Sequence, residues 1–138
     1  MKLHWENVYN KKKENEVSWY QKVPNISLNL IKSLDLNLNS KIIDIGAGES
    51  RLVDNLLDLG FNNIDVLDIS KKSIEKTQKR LGLKSEKINW IVSDINDYKP
   101  DKKYDLWHDR AAFHFLKDPV QINNYVDLAN SSLNINGK

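Results

Sequence analysis

Apolar positions along this chain alternate between helical and extended spacing. From Asn25 to Leu38, residues Ile26, Leu30, Ile31, Leu34 and Leu38 recur at helical intervals, and Pro24 just ahead bars an earlier start. Lys41–Ile45 reads as a strand ending on Gly46-Ala47-Gly48. It is followed by a helix with Leu52, Val53, Leu56, Leu57 and Leu59, stopped at Gly60. The pattern then repeats. Ile64–Ile69 is a nearly continuous apolar run broken by acids, as in a parallel strand buried on both faces. Ser70 is a natural N-cap for a helix through Ile74, Thr77 and Leu81, with Gly82 at its end. Ile88–Ile95 predicts a third strand and Tyr104–Asp109 a fourth. Asp118-Pro119-Val120-Gln121 then opens a last helix with a capping box and Pro at its first position. Its apolar face is Ile122, Tyr125, Val126, Ala129 and Leu133.

Strands alternating with helices predict an α/β fold, a mostly parallel sheet covered on both faces. No repeat or Pro/Gly/Ser-rich linker divides the chain, so residues 1–24 read as an N-terminal aromatic arm and 25–138 as one domain. The turn signal Asn136-Gly137-Lys138 ordinarily introduces another strand. The fold therefore reads as cut off after its fourth strand and following helix. The open edge of that strand is a place for self-association with a second chain.

Composition narrows the function classes. With 138 residues, 40% of them hydrophobic, there is material for one domain with a real core. The 21 Lys+Arg nearly balance 19 Asp+Glu, for a net charge of +2, which is not the basic surface of a nucleic-acid binder. Lys11-Lys12-Lys13 and Lys71-Lys72 read as solvated faces. The absence of cysteine excludes a disulfide scaffold, a thiolate zinc site and a cysteine nucleophile, and fits a cytoplasmic protein. No apolar run approaches the length that spans a bilayer, and Met1 to Asn10 has no signal-peptide core, so no membrane partner is expected.

The chemistry concentrates at strand ends, where ligands bind in doubly wound sheets. Each predicted strand ends in or near an acid: Asp44, Asp68, Asp94 and Asp109. Carboxylates gathered on one edge repel one another and are expensive to desolvate, a cost that a ligand rich in hydroxyls, amines and positive charge offsets. The segment Asp44-Ile45-Gly46-Ala47-Gly48-Glu49-Ser50 is the sharpest signal: its glycines allow a tight turn and close ligand approach. The helix after it points free N–H groups toward a carboxylate or phosphate. A dinucleotide fingerprint needs a third glycine where Arg51 stands, and Asp44 suits an ammonium better than a pyrophosphate. Asp68, about twenty residues after the first glycine, suits a ribose diol in either cofactor class.

The Asp44-Ile-Gly-Ala-Gly run, Asp68 ending the second strand and Ser93-Asp94 ending the third resemble class I S-adenosylmethionine-dependent methyltransferases. His4-Trp5-Glu6-Asn7-Val8-Tyr9, Glu16-Val17-Ser18-Trp19-Tyr20 and the stretch from Asp105 to Leu116 are similar to a bacterial branch of small methyltransferases, distantly like protein-lysine methyltransferases. Ser50 departs from a third glycine common in the family. The resemblance implies a Rossmann-like methyltransferase fold, with strands ordered 3-2-1-4-5-7-6, of which the first four are visible. It implies S-adenosyl-L-methionine as cofactor and S-adenosyl-L-homocysteine as product. Asp44 with the backbone of Gly46, Ala47 and Gly48 would then hold the methionine end, Asp68 the ribose, and Asp94 the adenine amino group. The Ile95 amide would face a ring nitrogen, Ile69 would pack on the adenine, and Asp109 would lie near the methyl group. The arm would close over the cleft through Trp19 and Tyr20.

Methyl transfer from a sulfonium needs alignment and desolvation more than a covalent nucleophile or a metal. Where the acceptor arrives protonated, as a protein lysine does, a general base is required, and His108, Asp109 and His114 are the candidates. His114, between Phe113 and Phe115, also reads as a core histidine, and Arg110 either orients an acidic substrate or pairs with Asp109. The acceptor, a protein lysine or a small metabolite, is not specified by these residues. Two other readings stand beside this one: a nicotinamide- or flavin-binding Rossmann domain, and a non-catalytic fragment that keeps a cofactor site.

Overall fold

The computed structural model describes Lys2, Glu6 and residues 24–110 and 112–138. The aromatic arm, with Trp5, Tyr9, Trp19 and Tyr20, lies outside the described residues, Lys2 and Glu6 excepted. The described elements are α1 (Asn25–Ser33), β1 (Ile42–Ile45), α2 (Leu52–Asp58), β2 (Ile64–Asp68), α3 (Lys71–Leu81), β3 (Ile88–Val92), β4 (Leu106–Asp109) and α4 (Pro119–Ser132). All four strands are parallel, in the order β3-β2-β1-β4, which is the order the resemblance implies for the first four. Every residue of β1 and β2 is buried, as the near-continuous apolar runs require.

Side-chain alternation sorts the sheet into two layers. Ile42, Ile64, Val66 and Leu106 face one side with Leu28 and Ile31 of α1 and Leu52, Val53 and Leu56 of α2. Ile43, Ile45 and Leu67 face the other with Tyr104, Leu116 and Tyr125 of α4. The acid inside β2 belongs to this second layer. Asp65 is 2% exposed, accepts the Tyr104 hydroxyl and lies 3.3 Å from Lys102 Nζ. Tyr98 shares the Tyr104 hydroxyl at 2.7 Å, and burial together with Asp65 pushes the Tyr104 pKa up.

The local chemistry read from the sequence caps the helices. Ser70 Oγ accepts the Ser73 amide at 3.2 Å, and Asp118 Oδ1 accepts that of Val120 at 2.8 Å. The first two strands are each one residue shorter than expected, Ile42–Ile45 and Ile64–Asp68, and larger differences of boundary or face fall in four places. Helix α1 ends at Ser33, and its buried side is Ser27, Leu28 and Ile31, whereas Ile26 and Leu30 are 72% and 63% exposed. Apolar residues lie on both sides of this short helix, so spacing alone does not fix which side docks. β3 stops at Val92 because Asp94 caps a turn of 3₁₀ helix, Ile95–Asp97, by accepting the Asn96 amide. β4 begins at Leu106, and Tyr104 pairs instead with Leu133. On α4, Val126 is 43% exposed, while Ile122, Leu128 and Ala129 pack inward beside Tyr125.

The outer edge of β4, where the sequence leads one to expect pairing with a second chain, is met by Lys138. Its carbonyl accepts the Trp107 amide at 2.8 Å and its amide reaches Asp105 O at 2.9 Å. Among the described residues, no helix is long and apolar enough to cross a membrane.

The docking face of α1 is open to direct measurement. Leu28→Ala should cost about 2–4 kcal/mol in urea unfolding as a core truncation, and Leu30→Ala less than about 0.5 kcal/mol as an exposed change. The reverse ranking would mean that the helix docks by its other side.

Candidate functional site

At the carboxyl ends of β1, β2 and β3 the fold leaves a hollow open to solvent. Asp44, Asp68 and Asp94 line it, together with Gly46, Ala47, Ile69, Ile95, His108 and Arg110. Three of the four strand-end acids are thus brought together. Gly46 has φ +62, and a Cβ there would stand 2.4 Å from Ala112 Cβ, so only glycine lets the turn after β4 pass so closely over the bend. Gly48, also at positive φ, sits buried behind the lining, its amide donating to Asp68 Oδ2 at 2.7 Å.

Asp68 is 5% exposed and is held rigidly, since its Oδ1 accepts the Ser70 amide at 2.8 Å. Burial pushes its pKa from 3.8 up to about 6, against the pull of the Ser70 and Gly48 amides and the Ser73 hydroxyl, while the charge of Asp44 adds to the rise. A carboxylate has about four lone-pair sites, and the two amides and the Ser73 hydroxyl leave Asp68 one of them for a further donor. Asp94 Oδ1 takes the Asn96 amide and side chain at 3.0 and 3.1 Å.

Asp44 is 2% exposed and lies in register with His108 across the β1–β4 pair. Its Oδ1 is 2.8 Å from His108 Nδ1, and His108 Nε2 is 2.9 Å from Ser27 Oγ on α1. Its Oδ2 is buried and has no hydrogen-bond partner among the described residues. Burial drags the His108 pKa down, but the hydrogen bond and charge of Asp44, helped by Asp109 and opposed by Arg110, outweigh it and leave the ring above its ordinary value.

Asp109, one residue further along β4, points to the opposite layer. Its oxygens accept the Ala112 and Phe113 amides at 2.7 and 3.0 Å and the Tyr125 hydroxyl, and it is not among the described residues that line the hollow. That hydroxyl also accepts Trp107 Nε1 at 2.9 Å. His114 is exposed, set edge-on to Phe115 at 6.0 Å, and neither lines the hollow nor sits in the core; the short turn Ala112–Phe115 carries it outward. The arm residues Trp19 and Tyr20 lie outside the described residues.

Sequence reasoning missed Ser27 and the back of the glycine bend. Ser27 falls on a helix whose docking side the spacing left undetermined. Behind the bend, Thr77 and Arg80 of α3 bond its carbonyls. Their spacing, three apart on one helix face, is the only trace of this in the sequence.

A family profile described as "Methyltransferase domain" matches residues 43–137. Among curated relatives, malonyl-[acyl-carrier protein] O-methyltransferase 1 of Ilyobacter polytropus is 35% identical over 86 residues, covering 62% of this chain and 32% of the relative. A solved phosphoethanolamine N-methyltransferase 1 of Haemonchus contortus, in complex with phosphoethanolamine and S-adenosylhomocysteine, superposes with TM-score 0.77 at 23% identity, over 96% of this chain and 29% of that one. The N-methyltransferase NodS of Bradyrhizobium japonicum, in complex with S-adenosylhomocysteine, gives TM-score 0.72 at 16% identity, over 94% and 68%. The chain spans about a third of the length of the curated relatives it matches.

The raised pKa of Asp68 has a pH signature. Between 3.8 and about 6 the folded protein keeps a proton that the unfolded chain has released, so the contribution of Asp68 to stability falls as pH rises through that window and is flat above it. Carbon NMR of the Asp68 carboxyl should titrate with a midpoint near 6; a midpoint at or below 3.8 would contradict the burial described.

Proposed function

We propose, from the premise that this chain belongs to the class I S-adenosylmethionine-dependent methyltransferases, that it binds S-adenosyl-L-methionine in the hollow and directs its methyl group to an acceptor by in-line displacement. The observation that carries this reading is Asp44 Oδ2, a buried oxygen with no partner among the described residues, at the wall of the hollow. Leaving such a group unpaired costs about 1–3 kcal/mol or more. An ammonium delivered by a ligand offsets that cost, whereas a pyrophosphate would add to it. The methionine end of the cofactor carries such an ammonium.

The remaining assignments follow the lining. The backbone of Gly46 and Ala47, backed by Gly48, lets the amino-acid end approach closely. The remaining lone pair of Asp68 suits a ribose hydroxyl. Asp94 and the Ile95 amide suit the adenine edge, with Ile69 and Ile95 offering apolar surface to its ring. When bound, the cofactor supplies an electrophilic methyl on a sulfonium whose sulfur leaves as a neutral thioether.

Of the three expected bases, His108 has the geometry for proton transfer. In the tautomer whose Nδ1–H donates to Asp44, Nε2 accepts from the Ser27 hydroxyl. Ser27, which lines the hollow, takes the acceptor's proton on its oxygen as its own hydroxyl proton passes to Nε2, giving an imidazolium that Asp44 stabilises. Asp109 holds the turn over the bend, and Trp19 and Tyr20 remain proposed lid residues. The acceptor is a protein lysine or a small metabolite. A bacterial, cytoplasmic setting belongs to the same proposal, on the resemblance of the Asp105 to Leu116 segment.

S-adenosylhomocysteine at about a hundred times its Kd should stabilise the chain by about 2.7 kcal/mol in thermal unfolding, and NAD or NADP should not. Asp68→Ala should weaken that binding by about 1–3 kcal/mol. Stabilisation by NAD alone would replace this reading with a dinucleotide-binding one.

A further inference from the structure

Helix α3 reaches the back of the glycine bend with three side chains of one face. The Thr77 hydroxyl shares its one proton between Ser73 O of its own helix at 3.1 Å and Gly48 O at 3.3 Å, and the Arg80 guanidinium donates to Glu49 O at 3.3 Å and Ser50 O at 3.1 Å. Lys76 Nζ lies 3.2 Å from Oε1 of Glu49, a residue that is 5% exposed. Asp54 of α2 aims the guanidinium, accepting from it at 2.6 and 3.2 Å. Three consecutive carbonyls of the bend are therefore drawn to donors that do not line the hollow.

Carbonyl oxygens turned into the hollow would repel a carboxylate. Turned back, they leave Gly46, Ala47 and Ser50 to line it. The helix has its own Ser70 cap and docks through Ser73, Ile74 and Thr77, so docking alone does not call for the bonds that Arg80 makes to the bend. We infer that Thr77 and Arg80 are positioning residues of the cofactor site, fixing the glycine bend so that its carbonyls stay away from the carboxylate end of the ligand; the inference rests on the cofactor reading above. Arg80 is suited to this because a planar fork serves two carbonyls and Asp54 together, which a lysine ammonium cannot.

The test is calorimetric titration of the 138-residue chain and its variants with S-adenosylhomocysteine, alongside amide NMR spectra without ligand. Thr77→Val keeps shape and removes the hydroxyl, Thr77→Ser restores it, and Arg80→Lys keeps charge and removes the fork. Thr77→Val and Arg80→Lys should each lose about tenfold in affinity while keeping a native spectrum, and Thr77→Ser should stay within about twofold of wild type. Native spectra with unchanged affinity in both variants would overturn the inference, and so would loss of the native spectrum in both, which would make these residues supports of the fold alone. Failure of the wild-type chain to bind would instead sink the cofactor reading on which the inference stands.

Discussion

A carboxylate placed at the end of a central parallel strand has few internal partners, and Asp44 meets that constraint only by half. β1 lies between β2 and β4 with both faces covered, so its last polar side chain is taken out of water by the fold itself. One oxygen is served by His108; the other is buried without a partner among the described residues. Asp68 stands near enough for its charge to be felt, and its own pKa rises partly for that reason. Two buried acids beside an open hollow form a site whose electrostatics favour a ligand that brings a positive charge and hydroxyl donors.

Strand alternation decides which residues join that site. Asp44 is paired in register with His108, and Ile45 with Asp109. Neighbours on a strand point to opposite faces, so His108 meets Asp44 and Ser27 in the layer of α1, while Asp109 meets Tyr125 in the layer of α4. The expected acid of β4 and the expected base of β4 are therefore separated by the pleat. Asp109 braces the turn that carries Ala112 over Gly46, and His108 faces the hollow.

The order of elements and the strand cores were legible because their signals are local: continuous apolar runs, Ser70 and Asp118 as caps, Gly60 and Gly82 as stops. Asp44, Asp68 and Asp94 were legible because the end of a parallel strand has a fixed place in such a fold. What escaped depends on rotation and on distant partners. α1 carries apolar residues on two sides, so the sequence did not show that Leu28 rather than Leu30 docks, nor that Ser27 reaches His108. His114, flanked by two phenylalanines, reads as buried, yet the short turn it belongs to holds all three at the surface. The bonds from Thr77 and Arg80 to the bend join residues some thirty apart, and helical spacing marks the face they share without naming what it touches.

The most direct measurement is a structure of the chain with S-adenosylhomocysteine, by crystallography or by intermolecular NMR contacts. The ammonium should lie within hydrogen-bond distance of Asp44 Oδ2, with the ribose on Asp68 and the adenine beside Asp94 and Ile95. A nucleoside bound elsewhere on the molecule, or an ammonium turned away from Asp44, would contradict the account.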